Sequence, residues 1–314
     1  MRQMDDFNPP WWLSNKHIQS CISAVFPYRT KHKLRWEEIT LSDGDFLDIV
    51  WVGPKDKPIV LLLHGMEGSV YSHYIQTIID YIVDHGWQAV IMHYRSCSGR
   101  INRVPFQYNA RDTVDLEYII NIILDRNGKH PLYAVGYSLG GNLLIHYLAD
   151  YGYTALTKVV AVSTPYELSK SADYLAPFYH HVILRSLRRK VLEKMAQGIE
   201  MPFDKAQLNR INSIRGFDRI FTAPLAGYHS VDQYYQDASS RYRLAKIKSP
   251  LLILHALDDP FVPCSSIPRE RELSKSTVLE VTPKGGHLGF WSASLPWHSN
   301  RWIEERIIQF LTSS

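Results

Sequence analysis

The sequence predicts an α/β chain: a doubly wound, mostly parallel sheet with an inserted helical lid. Three observations carry that expectation. Ile59-Val60-Leu61-Leu62-Leu63 is fully apolar, as a strand buried on both faces of a sheet must be. Such runs alternate with stretches of helical periodicity, which implies parallel strands joined by right-handed crossovers. Finally, Gly136-Tyr137-Ser138-Leu139-Gly140 stands between the apolar run Pro131–Val135 and the helical stretch Gly141–Leu148. That is a serine on a sharp turn from strand to helix, where strain projects Oγ out of the sheet and onto a helix N-terminus. At 314 residues the chain suits one large domain, spanning 1–314 with an N-terminal extension of about 1–33 and a lid insertion of about 165–242.

The elements follow in order. Leu34–Trp51 alternates apolar and polar residues around Ser42-Asp43-Gly44-Asp45, the pattern of a hairpin. After the Ile59 run, Tyr74–His85 places Ile75, Ile78, Ile79, Ile82 and Val83 at helical spacing, and Gly86 stops it. Trp87–Met92 is the next strand, Ala110–Asp125 the next amphipathic helix, and Lys158–Ser163 the strand after the Ser138 turn. From Thr164-Pro165 to about Tyr242 buried-strand runs cease, and the segment is helical and rich in aromatic and basic residues. Strand patterns return at Pro250–His255 and Thr277–Val281, and Trp297–Leu311 carries the apolar stripe of a last helix.

Composition narrows the function classes. Hydrophobic residues make up 45% and charged residues 21%, and the net charge is +4. This is the balance of a globular protein, too mildly basic for nucleic acid without a clustered stripe. Cys21, Cys97 and Cys264 have neither metal-ligand spacing nor a disulfide framework. The first ten residues lack a signal-peptide apolar core, and no apolar run approaches the roughly 18 residues of a membrane span. A cytoplasmic location is expected, with neither metal nor organic cofactor.

A serine nucleophile needs a base, and the base an orienting acid, in the chain order serine, acid, histidine for a serine on such a turn. The strand Leu251–Leu254 runs into Ala256-Leu257-Asp258-Asp259-Pro260-Phe261-Val262-Pro263. Spacing to the closing proline favours Asp259 as the acid, with Asp258 left to cap the turn. The glycine-rich Pro283-Lys284-Gly285-Gly286-His287-Leu288-Gly289 lies between the last strand and last helix, which makes His287 the base. His64, His93 and His146 read as structural. The oxyanion needs two backbone N–H groups. Leu139 supplies one by following the serine. Met66, in His64-Gly65-Met66-Glu67-Gly68 directly after the Ile59 strand, supplies the other, its side chain in position to line an acyl pocket. Cys97 lacks a base of its own and is not expected to act as the nucleophile.

With these segments in hand, the chain resembles the YheT-like branch of the α/β-hydrolases. The likeness is carried by Pro10-Trp11-Trp12-Leu13 with His17-Ile18-Gln19-Ser20, His64–Gly68, Tyr94–Gly99, Gly136–Asn142, Tyr234-Tyr235, Ala256–Pro263 and Gly285–Phe290. Ser20 stands where threonine is usual, and Ser96 where glycine is frequent. The resemblance implies the α/β-hydrolase fold and carboxylic-ester hydrolysis, in a branch whose eukaryotic relatives include lipid esterases and acyltransferases that form ethyl esters. The expected partner is a small acyl ester of short to medium chain or lipid-like character, cleaved through an acyl-enzyme. Acyl transfer to an alcohol is the alternative, and a catalytically dead fold kept for binding is a third reading that the full set of site residues disfavours. In the lid, Arg185, Arg188, Arg189, Lys190 and Lys194 read as a solvated helix face, or alternatively as a surface for peripheral contact with an anionic membrane. Oligomeric state is not legible.

Overall fold

The computed structural model describes residues 2–3, 7–152, 154–292 and 302–313. Within them one sheet has the strand order β1-β9-β8-β7-β6-β4-β5-β3-β2. The strands are β1 (Arg2–Gln3), β2 (Arg35–Thr40), β3 (Phe46–Val52), β4 (Ile59–Leu63), β5 (Gln88–Met92), β6 (Leu132–Tyr137), β7 (Leu156–Val162), β8 (Leu251–Ala256) and β9 (Thr277–Thr282). Only β3 runs against the rest, pairing antiparallel with β2 on one side and β5 on the other, and β4, β5, β6 and β8 are buried along their whole length. Their predominantly apolar sequences, interrupted by Gln88 in β5 and His255 in β8, fit that burial, since helices cover both faces.

On one face lie α2 (His73–Asp84) and the C-terminal α11 (Trp302–Thr312). Ile75, Ile78, Ile79 and Ile82 of α2 join Ile303, Ile307, Ile308 and Leu311 of α11 against Val60, Leu62 and Val135 of the sheet. The opposite face is covered by α3 (Thr113–Asn127) and α4 (Leu139–Tyr151), through Leu116, Ile119, Ile120, Ile123, Leu143 and Leu144. The start of the expected last helix, residues 297–301, falls outside the described residues. No helix among the described residues is long and apolar enough to cross a membrane.

Two elements that are not among those expected precede β2. The N-terminal helix α1 (Lys16–Val25) is capped by Asn15, whose side chain accepts from the amides of His17 and Ile18. The two polar residues of β1 pair in parallel with Glu280 and Val281 of β9.

Between β7 and β8 the chain forms α5 (Leu168–Tyr174), α6 (Pro177–Ala196), α7 (Lys205–Arg210), α8 (Ile214–Phe217), a π turn (Asp218–Thr222), α9 (Ala223–Leu225) and α10 (Val231–Ala238). Leu184, Leu187 and Val191 of α6 pack with Leu208, Ile214, Phe217 and Phe221 into a small core of their own. By contrast α10 turns back to the main body, where Val231, Tyr234, Tyr235 and Ala238 join the cluster on the α4 face.

Candidate active site

Strand order reverses at β4. The chain leaves it for β5 on one side, while β6 lies on the other. In open α/β sheets the crevice outside the carboxyl ends of strands at such a point is where ligands bind. Leu63, the last residue of β4, pairs with Gly136 of β6, so the loop after β4 and the turn after β6 lie side by side.

That turn holds Ser138 at φ 53, ψ −115, a conformation an L-residue adopts only when its surroundings enforce it. The enforcement is steric and hydrogen-bonded. The Ser138 amide donates to Val162 O at 2.8 Å. At Gly136 a Cβ would lie 2.6 Å from the Gly141 nitrogen, and at Gly140 it would lie 2.6 Å from Leu63 O. No side chain fits at either place, so the strand, turn and helix pack at a distance only glycine allows.

Ser138 Oγ lies 3.0 Å from His287 Nε2, and His287 Nδ1 lies 2.8 Å from Asp259 Oδ2. Asp259 is 1% exposed and His287 8%. The other Asp259 oxygen accepts from the amides of Phe261 and Val262 at 2.7 and 3.1 Å, which fixes the carboxylate in one orientation. His255 Nε2 is 3.8 Å from Asp259 Oδ2, but burial pushes this imidazole down to about 4, so at neutral pH it brings no competing cation. Asp258 takes a different part. Its Oδ1 accepts from the Gly286 amide at 2.9 Å, tying the two loops together, and burial holds its carboxyl above the usual range.

The His287 loop is held by residues far away in sequence. The His287 amide donates to Ser20 Oγ at 2.8 Å, and the Ser20 hydroxyl donates to Lys16 O of α1. Gln19 donates to Trp291 O and accepts from Trp291 N. Phe261 stacks on the imidazole with centroids 4.2 Å apart and planes 16° from parallel, which restricts rotation of the ring. The sequence flags the segment His17–Ser20 only through the family likeness; the residue types around Ser20 do not state this duty.

In the loop after β4, the Gly65 amide donates to Tyr74 Oη, Glu67 N to Tyr108 Oη and Gly68 N to Gly65 O. The Met66 amide has no such partner among the described residues. Leu139 opens α4 and carries one of that helix's unpaired first-turn donors. Both residues line the same cavity as Ser138 and His287.

This cavity has a volume of about 320 Å³, within the usual range of small-molecule sites. Leu168, Leu175, Leu187, Phe217 and Phe221 of the insert form much of its wall. The insert's aromatics divide sharply, however. Phe217, Phe221, Tyr234 and Tyr235 line the cavity, Tyr179 packs against His17, and Tyr174 and Phe178 face outward.

The basic group on α6 divides as well, and neither expectation for it holds throughout. Arg185 and Arg189 are exposed, whereas Lys190 and Lys194 are buried. Lys190 Nζ sits 2.8 Å from Glu67 Oε1 and 3.3 Å from Cys97 Sγ. Lys194 Nζ donates to the carbonyls of Val104, Pro105 and Phe106, and burial pushes it down to about 7. Burial likewise pushes the Cys97 thiol up to about 12, the opposite of what a nucleophile needs. His64, His93 and His146 bind backbone groups of the core.

Residues 58–294 match the alpha/beta hydrolase fold family, and the chain belongs to it. Among relatives, the YheT protein of Escherichia coli (strain K12), which carries the provisional name of esterase, is 34% identical over 98% of this chain and 93% of its own. Phospholipase ABHD3 of Mus musculus is 29% identical over 93% of this chain and 75% of its own. The solved Pf2001 esterase of Pyrococcus furiosus shares the fold at a TM-score of 0.56 and 18% identity, covering 98% of this chain and 97% of its own. The protein is a hydrolase of the α/β fold, in the YheT-like branch.

Proposed function

We propose that this protein is a serine carboxylester hydrolase acting on esters with an apolar acyl part. The Ser138–His287–Asp259 hydrogen-bond chain in the wall of an apolar cavity carries the reading. Ser138 Oγ attacks the ester carbonyl while His287 Nε2 takes its proton, and Asp259 holds Nδ1–H so that Nε2 is the free acceptor. The amides of Met66 and Leu139 stabilise the tetrahedral oxyanion. Collapse expels the alcohol, which receives its proton from His287, and water then releases the acid by the same route. The helices between β7 and β8 act as a lid that keeps bulk water from the acyl-enzyme. The relatives' names, esterase and phospholipase, agree with ester cleavage.

The test is labelling of Ser138 by a fluorophosphonate, followed by turnover of p-nitrophenyl esters by wild type, Ser138→Ala and His287→Ala. Each variant should lose about 10⁴-fold or more in kcat, and the double variant little further, because members of such a unit fail together. If Ser138→Ala retains a tenth of wild-type turnover in a preparation free of other esterases, the mechanism is wrong. Esters turned over faster with added alcohol, with alkyl ester as product, would make acyl transfer the main reaction.

A further inference from the structure

The cavity is not uniformly apolar. Asp218, at the start of the π turn, lines it together with Gln107 and Ser171. Gln107 is 2% exposed, and its side-chain nitrogen has no hydrogen-bond partner among the described residues. The hydroxyl of buried Ser171 has none either. Such groups are costly inside a protein unless something bonds to them.

Asp218 is partly satisfied. Thr222 Oγ1 donates to one of its oxygens at 2.6 Å and Tyr235 Oη to the other at 2.7 Å. A carboxylate offers about four acceptor positions, so two remain. Burial raises its carboxyl to about 6, as expected for an anion set in an apolar wall. Arg215, the cation whose charge acts on Asp218, is already committed elsewhere. Arg215 bonds to Asp173 and Asp232 and lies over the Tyr235 ring, 4.9 Å from its centroid. Its charge opposes a second cation beside Asp218, but not a neutral donor.

We propose that Asp218, Gln107 and Ser171 form a polar subsite in this cavity that receives a ligand hydroxyl group. On the esterase reading above, on which this extension rests, the substrate is then an ester with a hydroxyl on its acyl chain or on its alcohol part. A hydroxyl donates to the Asp218 carboxylate and can accept from the Gln107 amide or the Ser171 hydroxyl. An acyl chain lacking one leaves the carboxylate desolvated and underbonded. A site built around a substrate hydroxyl discriminates strongly against the analogue without it.

Binding of uncleavable ligands tests the subsite apart from the chemistry. Calorimetry on wild-type protein uses four probes that share an octyl chain: octyl methyl ether, ω-methoxyoctanol, octyl glyceryl ether and octylammonium. The methoxyoctanol places its hydroxyl at the far chain end and the glyceryl ether places its hydroxyls on the alcohol part. Asp218→Leu should weaken at least one hydroxylated probe by about tenfold or more, and Gln107→Leu should weaken the same one, while the methyl ether changes less than threefold. Asp218→Asn preserves size should the leucine variant not fold, and it should weaken the same probe severalfold. The probe that responds identifies where the hydroxyl sits. Equal proportional changes for hydroxylated and plain probes would overturn the proposal, as would octylammonium binding more tightly than both. Fluorophosphonate labelling of the same preparations separates the two readings. Labelled protein indifferent to hydroxyls sinks the subsite alone, and unlabelled protein with hydroxyl-selective binding sinks only the esterase reading.

Discussion

Converting each of the adjacent aspartates to asparagine should give sharply unequal losses, and the geometry gives their size. Asp259 uses one oxygen to accept from the amides of Phe261 and Val262 and the other to face His287 Nδ1. In Asp259→Asn the carboxamide oxygen must stay on the two amides, because an NH₂ group there would oppose two N–H donors. The NH₂ group is then forced onto Nδ1. His287 must accept at Nδ1 and carry its proton on Nε2, where it can no longer take one from Ser138. The equivalent change in chymotrypsin-type enzymes lowers kcat by about 10⁴, or about 5.4 kcal/mol of barrier, and the same loss is expected here. Asp258 only accepts from the Gly286 amide, a bond that an asparagine oxygen reproduces, so Asp258→Asn should cost less than about threefold. The assay is kcat on p-nitrophenyl butyrate, normalised to folded protein by thermal denaturation. Asp259→Asn retaining a tenth of wild-type kcat, or falling less than Asp258→Asn, would refute the assignment.

Other outcomes follow from the same geometry. Lys190→Met leaves the Glu67 carboxylate buried without its partner, which should cost about 3–5 kcal/mol. With an unfolding entropy of roughly 2.1 cal/mol/K per residue, that lowers Tm by about 5–8 °C, and adding Glu67→Gln should restore most of it; simple additivity in thermal scans would argue against the pairing. His64 is held at about 3, and His73, His93, His146 and His255 at about 4, by burial. Folded-state values below the unfolded 6.5 mean stability that is complete above pH 6.5 and is lost as pH falls toward 4, because the unfolded chain binds protons the native one refuses. Tm should therefore drop steeply between pH 6.5 and 4.5, and a flat profile across that window would contradict the neutral burial of these rings. Butanoyl to octanoyl esters should exceed acetyl esters, by roughly tenfold in kcat/KM for two added methylenes at about 0.8 kcal/mol each. A steady fall from acetyl to octanoyl below the critical micelle concentration would mean that the apolar wall does not hold the acyl chain.

Much of the sheet was legible because its signals are local. An unbroken Ile59–Leu63 run is readable from five residues, and the packing around Ser138 demands glycine at Gly136 and Gly140 whatever lies elsewhere. Spacing within one loop points to Asp259 over Asp258; in the structure Asp259 Oδ2 faces His287 Nδ1, while Asp258 accepts from the Gly286 amide. What could not be read depends on contacts distant in sequence. Helical periodicity assigns Lys190 and Lys194 to a face of α6, but it cannot say that Glu67 and three carbonyls of the 104–106 loop wait opposite that face. For the same reason Phe178 and Phe217 look alike in the sequence, yet one meets solvent and the other the cavity. Two residues of β1 are too few for any period, and although the segments holding Ser20 and His287 both stand out in the sequence, nothing in either says that they meet.

That last contact has a consequence for how the molecule comes into being. Ser20 and Gln19 precede their partners His287 and Trp291 by 267 and 272 residues. A chain emerging from the ribosome can complete β4, β6 and the turn that presents Ser138 long before His287 has been made. Until then the serine is displayed without a proton acceptor, and α1 has nothing to grip. Closing so long a loop costs little more free energy than closing one half its length, so the separation by itself takes little from the stability of the finished contact. On the proposed function, a half-made polypeptide is thus chemically silent toward esters around it until His287 is made and reaches Ser138.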